Sequence, residues 1–397
     1  MNPPLTITPS LAAITGPEHL RTLGGATAVA PGNTGEVAAI LRFAQEKHFA
    51  VVPWGGGTKQ RWGYPVAPAV ILETHRLNAI REHTWQDMTC TVEAGCTWAS
   101  LQSALAQHGQ YVALDPLWPE GATVGGIVAT NDSGALRLRY GSLRDLIIGM
   151  TIVLADGTIA HTGGKVVKNV AGYDLHKLMT GAFGTLGVIT SVNFRLHSIP
   201  KSTQSFTFSA PSAKSLGGWM LKLLHEQLST LSIQLRGTTG GFHLDIQLAS
   251  LPEVLRTQAD LLESLGRVEG LAVETAAAAV WDARQQLLDR DLVCKATMLP
   301  SEIASFAERV RSLGGESVTQ ATGIMTAVFP AAAAGQLPQL RRDLEAASGS
   351  LMVLKQPAES KLDCWGTLPD SLPLMREIKR RFDPDGVLNP GRFLGGL

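Results

Sequence analysis

With 397 residues, 45% of them apolar and 17% charged, the chain has the volume for two or three domains and the composition of an ordinary globular protein, which excludes a disordered or fibrous one. Lysine plus arginine and aspartate plus glutamate are equal at 34 each, so no net field favours nucleic acid or an acidic membrane as partner. Four cysteines (Cys90, Cys96, Cys294, Cys364) form no CxxC pair and no metal-ligand spacing, and read as reduced, mostly buried thiols of a cytoplasmic protein.

The first ten residues carry no positive charge and no long apolar run, unlike a secretory leader, and the oiliest stretch, 146–155, is too short to span a bilayer. Val37, Ile40, Leu41 and Ala44 share one helical face, with Asn33 or Thr34 as the cap. The apolar run Phe49 to Val52 then predicts a buried strand that ends in Pro53-Trp54-Gly55-Gly56-Gly57-Thr58-Lys59. A strand ending in three glycines brings bare backbone close to something, and several N–H groups can converge on one anion, with Lys59 and Arg61 adding charge. Three glycines alone read equally well as a surface turn. Further strands are predicted at 70–73 and 90–95, followed by a helix capped by Thr97, with Trp98, Leu101 and Leu105 on one face and Gly109 ending it.

A second glycine-rich stretch shifts that balance. Gly121, Ala122, Thr123, Gly125, Gly126, Ala129, Thr130, Ser133, Gly134 and Gly141 form a small-residue wall interleaved with Val and Ile, which a flexible linker lacks. An ordered wall without bulk leaves volume that only a large ligand fills cheaply, whereas tight helix–sheet packing explains just a few of these glycines. A strand at 146–155, an Asp156-Gly157 hairpin turn and a return strand at 158–162 follow. Asp174 is expected to cap a helix at 175–182 with Leu175, Leu178 and Met179 inward; Gly181, Gly184 and Gly187 end it before a strand at 188–196. From 201 the glycine loops thin out. Strands at 203–209, 231–236, 242–248, 292–298 and 323–329, with a further one between 265 and 275, alternate with helices at 212–229, 251–265, 275–289, 300–312 and 335–347, an α+β arrangement on one antiparallel sheet. The predicted division is 1–200, 201–348 and a C-terminal segment 349–397 packing back on the first part.

The two glycine loops, Arg139-Tyr140-Gly141-Ser142, Gly172-Tyr173-Asp174-Leu175 and the terminal Phe382-Asp383-Pro384-Asp385-Gly386-Val387-Leu388-Asn389-Pro390-Gly391 occur in an ordered set. That set resembles the flavin enzymes of the vanillyl-alcohol-oxidase/para-cresol-methylhydroxylase type, and within them is most similar to the FAD-binding subunits of bacterial glycolate oxidases. The resemblance implies a two-part FAD-binding domain with an α+β cap. It implies that Pro53, Trp54, Gly55, Gly56, Gly57, Thr58, Lys59 and Gln60 cradle the FAD pyrophosphate. Pro116, Gly121, Ala122, Thr123, Gly125, Gly126, Ala129, Thr130, Ser133 and Gly134 would line the diphosphate and ring system, Val188 and Ile189 the adenine end, and Asn389 would approach the flavin from the tail. The GxGxxG fingerprint of nicotinamide-binding folds is absent.

Two departures bear on chemistry. Some relatives attach FAD through a histidine in the first glycine loop; 53–63 holds none, so the FAD is expected to be non-covalent. Full-length 2-hydroxy-acid dehydrogenases of this type carry metal-binding histidines late in the cap, whereas here only His225 and His243 follow residue 200, so no metal is expected. Oxidation of a hydroxy acid needs a hydride acceptor, a base and cations for the carboxylate. Arg137, Arg139, Lys165 and Lys168 are the candidate cations, and no catalytic base is assigned. By resemblance the partners are a larger flavoprotein subunit and an iron–sulfur subunit passing electrons to quinone, with any membrane association peripheral and through them. A self-sufficient dehydrogenase of another substrate and a non-catalytic flavin-binding assembly subunit stay open as alternatives.

Overall fold

A computed structural model describes residues 4–164 and 173–397. The chain divides into two compact units, the first comprising 1–133, 141–199 and 367–397, the second 134–140 and 200–366.

The first unit holds two main sheets. In the four-stranded one the order is Leu20–Leu23, Ala26–Val29, Val70–Glu73, Val51–Trp54, with both inner pairings to Val70–Glu73 parallel. The crossover into Val51–Trp54 is helix Thr34–Glu46, capped by Asn33, whose Oδ1 accepts the Glu36 N–H at 2.9 Å, while Glu36 Oε2 accepts Gly32 N–H at 2.7 Å. Val37, Ile40 and Leu41 are fully buried against Val51, Val70 and Leu72, so the predicted stripe fixes the helix on this sheet. The five-stranded sheet is antiparallel, ordered Ile80–Thr84, Thr89–Glu93, Val188–Arg195, Ile147–Val153, Ile159–Gly163. Helix Trp98–Ala106 starts where expected, Thr97 Oγ1 accepting Ser100 N–H at 3.3 Å.

The tail returns to the first sheet. Val51 N–H donates to Val387 O at 2.8 Å and Asn389 N–H to Val51 O at 3.0 Å, so Leu388 lies along the edge strand. Asp383, 2% exposed, holds that turn by accepting Val387 and Leu388 N–H, both at 2.8 Å, and pairs with Lys379 at 2.5 Å.

One local expectation fails here. Helix Leu175–Met179 is shorter than 175–182, and Asp174 does not cap it; its carboxylate pairs with Lys177 instead. The buried residues are His176 and Met179, with Leu175 and Leu178 half-buried. Burial pushes His176, and likewise His197 and His243, below the ordinary histidine value of 6.5. Groups neutral in the fold and free to protonate when unfolded give stability that is full above that value and lost as pH falls through it. A lower urea midpoint is therefore expected at about pH 5.5 than at about pH 7.5, and His176→Gln should recover part of the difference.

The second unit is built on an antiparallel eight-stranded sheet, ordered Ala272–Thr275, Ser202–Ala210, Gly241–Ser250, Thr230–Thr238, Glu316–Gln320, Ile324–Phe329, Leu292–Thr297, Ser350–Lys355. Cross-strand register aligns Phe206 with Ile246 and Ile233, and Phe208 with Leu244 and Leu235, on one face. Helices Ala213–Leu223, Pro252–Val268, Ile303–Ser312 and Leu337–Ala346 bury that face. The other face carries Thr207, Gln234 and Asp245, all at most 3% exposed. Strands Glu316–Gln320 and Ser350–Lys355 were not expected, and the latter, paired with Leu292–Thr297, carries this unit past the predicted boundary at 348 to residue 366. The continuous helix expected at 275–289 is instead three short turns, Ala278–Asp282, Ala283–Gln286 and Leu287–Asp289. Gln234 Nε2 takes the Val280 carbonyl at 2.7 Å and Trp281 Nε1 donates to Ser205 Oγ at 3.1 Å, tying this segment to the sheet.

Candidate cofactor site

Within the first unit, a cleft opens where strand Val51–Trp54 gives way to the glycine loop. Its empty volume, counting the part open to solvent, is ≈ 810 Å³, within the usual range for small-molecule sites. The first wall is the loop 53–60. Helix Val124–Thr130 supplies the second through Gly125, Gly126, Ala129 and Thr130. The third is the turn after helix Leu175–Met179 with the start of Val188–Arg195, and Asn389 and Arg392 of the tail close the fourth side. The turn is fixed to the helix by Gly181 N–H on Val128 O (3.0 Å) and Phe183 N–H on Ala129 O (2.8 Å).

The glycines divide by purpose. A Cβ on Gly56 would stand 1.6 Å from the Gly121 carbonyl oxygen, and one on Gly55 2.1 Å from Thr123 Oγ1. These two let the glycine loops pack on each other, and Gly125 similarly lets helix Val124–Thr130 approach Ala94, 2.8 Å from an added Cβ. Gly126 differs: the nearest atom to an added Cβ is Thr123 Oγ1 at 3.4 Å, and the residue lines the cleft. Bare backbone at 55, 56 and 125 thus shapes the cleft walls, and at 126 it leaves the cavity itself clear.

The charges also fall differently from the sequence reading. Lys59 is 6% exposed, donates to Leu117 O at 3.2 Å and lies 3.4 Å from Asp132 Oδ2, with the Trp62 and Trp118 rings at 5.8 and 5.4 Å. It bolts the first loop to the second stretch. Arg61 is exposed and away from the cleft wall. The cation that sequence reading missed is Arg392, 5% exposed, donating to Gln60 Oε1 (2.8 Å), Gln60 O (2.8 Å) and Lys59 O (3.3 Å). Burial pushes its guanidinium down to about 10, still charged at neutral pH. Two buried oxygens in the cleft wall, Thr123 Oγ1 and Asn389 Oδ1, have no hydrogen-bond partner among the described residues, although Asn389 Nδ2 donates to Phe183 O at 2.7 Å. Buried polar atoms left unpaired at a cleft call for an explanation, and a hydrogen-bonding ligand supplies one.

Of the sequence-predicted residues, the structure brings 53–60, Thr123, Gly125, Gly126, Ala129, Thr130, Val188, Ile189 and Asn389 to the cleft wall. Pro116, Gly121, Ala122 and Ser133 are not on it: Ala122 is 1% exposed, with its carbonyl taken by Trp98 N–H, and Gly121 faces Gly56. Gly134, Arg137 and Arg139 belong to the second unit, and Lys165 and Lys168 lie outside the described residues. Sequence reading missed Thr74, Ala94, Met179, Ala182, Phe183, Gly184, Gly187 and Arg392. The spaced glycines at 184 and 187 were a signal for part of this, but were read only as helix breakers. Among the described residues no group of three or more His, Cys, Asp or Glu is placed to hold a metal ion.

Comparison with known proteins agrees with this geometry. Residues 26–163 match the model of an FAD binding domain, and residues 367–393 that of the C-terminal domain of FAD linked oxidases. Over 93% of its length the chain is 28% identical to a D-lactate dehydrogenase of Archaeoglobus fulgidus, covering 91% of that protein. It is 37% identical to glycolate oxidase subunit GlcD of Bacillus subtilis over 46% of this chain, spanning only 38% of that subunit. The fold is that of p-cresol methylhydroxylase, whose structure superimposes with a TM-score of 0.74 over 97% of this chain and 95% of that one at 16% identity. The FAD domain, the four-walled cleft and its orphaned oxygens fit one another, and the chain is an FAD-dependent oxidoreductase of α+β, p-cresol-methylhydroxylase-type fold.

Proposed function

We propose that this chain uses FAD held in the first unit's cleft to oxidise a small 2-hydroxy acid at its CH–OH carbon, with D-lactate and glycolate the first substrates to test. The observation that carries the cofactor reading is the cleft, with bare backbone along two walls and buried acceptors at Thr123 and Asn389. The full-length likeness to a D-lactate dehydrogenase supports the substrate class. Bound FAD supplies the acceptor for the hydride that leaves the hydroxyl-bearing carbon. The chain's part would be to hold it: residues 55–60 would present backbone to the diphosphate, Gly126, Ala129 and Thr130 would leave flat space beside the rings, Val188 and Ile189 would border the adenine, and Asn389 Oδ1 would be free to accept a hydrogen bond from the cofactor.

Among the described residues lining the cleft only Lys59 and Arg392 ionise, and both are cations. The acceptor for the hydroxyl proton therefore comes from outside that lining. We propose that the FAD is held without a covalent bond, because residues 53–63 of the first glycine loop contain no histidine. Acid precipitation is expected to leave all the flavin in the supernatant; a yellow pellet would refute this.

The match to a glycolate oxidase subunit supports a second reading, in which the chain carries FAD within a complex and passes electrons through a larger flavoprotein and an iron–sulfur subunit towards quinone. Mixing the purified chain with D-lactate or glycolate without oxygen separates the two. Bleaching of the flavin by the chain alone is the expected result, and bleaching only after partner subunits are added favours the complex. A flavin that no 2-hydroxy acid bleaches in either setting overturns both. No described helix is long and apolar enough to cross a membrane; we place the protein in the cytoplasm, with any membrane contact made through partners.

A further inference from the structure

Helix Pro252–Val268 of the second unit carries two apolar stripes. One, Leu255, Ala259, Leu262 and Gly266, is buried against the sheet. The other is Val254, Leu261 and Val268, which are 44%, 44% and 82% exposed, with Leu251 at the cap 50% exposed. Recurrence at every seventh residue keeps the three on one line along the helix, the spacing of a seam between paired helices. Single exposed apolar side chains are ordinary, but a line of them beside a buried stripe is not. Between the stripes lie half-buried Leu265 and Gln258, and Gln258 Oε1 accepts Ser229 N–H at 2.6 Å, so that flank is used within the chain. The opposite flank is exposed and carries Thr257 and Ser264, then Glu253, Asp260 and Arg267.

We propose that this stripe is a two-fold interface with a second copy of the same chain, the two helices antiparallel. A two-fold contact has to be self-complementary, and this stripe is. With Leu261 on the axis, Val254 of one copy meets Val268 of the other, and Glu253 lies on the flank facing Arg267 of the other, which its own Glu263 also holds at 3.1 Å. The two such charge pairs offset the one like-charge approach, Asp260 to Asp260 at the axis. Parallel pairing would instead bring opposite flanks together, setting Glu253 beside Gln258 and leaving Arg267 with no acidic partner in the other helix. So few side chains bury well under the roughly 800 Å² per partner of a standard interface, so the dimer is weak and concentration-dependent.

Sedimentation velocity of the flavin-loaded full chain, from low micromolar to a few hundred micromolar, is expected to show a monomer–dimer equilibrium. Leu261→Asp should weaken it by about tenfold or more, with the melting curve and flavin absorbance unchanged as a guard against misfolding. Glu253→Arg should weaken it, and adding Arg267→Glu should restore it. Under mild oxidation Leu261→Cys should crosslink with itself, whereas Val254→Cys should crosslink only when mixed with Val268→Cys. A chain that stays monomeric throughout, or a dimer indifferent to Leu261→Asp, overturns the proposal.

Discussion

Gly56→Ala is expected to cost the protein both its flavin and much of its first unit's stability, whereas Gly126→Ala should cost the flavin alone. At position 56 the new methyl would sit 1.6 Å from the Gly121 oxygen and 2.8 Å from its carbonyl carbon, both backbone atoms that cannot rotate away. The two loops have to separate, and overpacking of this kind costs about 1–3 kcal/mol or more. At position 126 the methyl meets nothing closer than 3.4 Å within the protein, and alanine is the better helix former by about 1 kcal/mol. The apo protein should therefore melt no lower than wild type, while its FAD affinity falls because the methyl enters the cavity. Melting of apo protein and fluorescence titration with FAD read the two effects separately. Equal apo stability of the two variants would contradict the division of the glycines drawn above.

Asp245→Ala is expected to destabilise the second unit by about 3–5 kcal/mol, the range for removing one partner of a buried ion pair. Asp245 is fully buried and saturated: Oδ1 accepts Thr207 Oγ1 (2.7 Å) and Arg236 Nη2 (2.8 Å), and Oδ2 accepts Arg236 Nε (2.6 Å) and Gln234 Nε2 (2.9 Å). The alanine variant strands a largely buried guanidinium and two neutral donors at once. Thr207→Val removes a single hydrogen bond and should cost only about 1 kcal/mol. Urea unfolding followed by far-UV circular dichroism orders the two, and a smaller loss for Asp245→Ala than for Thr207→Val would show that the cluster is not what holds this face.

What could be read from the sequence was what depends on near neighbours. The Asn33 and Thr97 caps lie three residues from the N–H groups they accept, and the stripe 37, 40, 41, 44 needs only helical period. The glycine loop 53–60 was legible because no other residue type tolerates such contacts. Arg392 was not, because its partners lie 332 and 333 residues away and nothing in its own surroundings marks it as buried. Lys59 was misjudged for a related reason: Asp132, which takes its charge, is distant in sequence. Glu316–Gln320 escaped notice because a central strand of this sheet keeps a polar face buried, and Gln320 looks like a loop residue until Gln234 is seen opposite it.

The order in which translation delivers these parts has a consequence. Strand Val51–Trp54 and its loop are made early, yet the groups that flank Val51 and grip Gln60 come from Val387, Asn389 and Arg392. A nascent chain still lacking them has a groove open on one side, so flavin capture waits until residues 387–392 have been made.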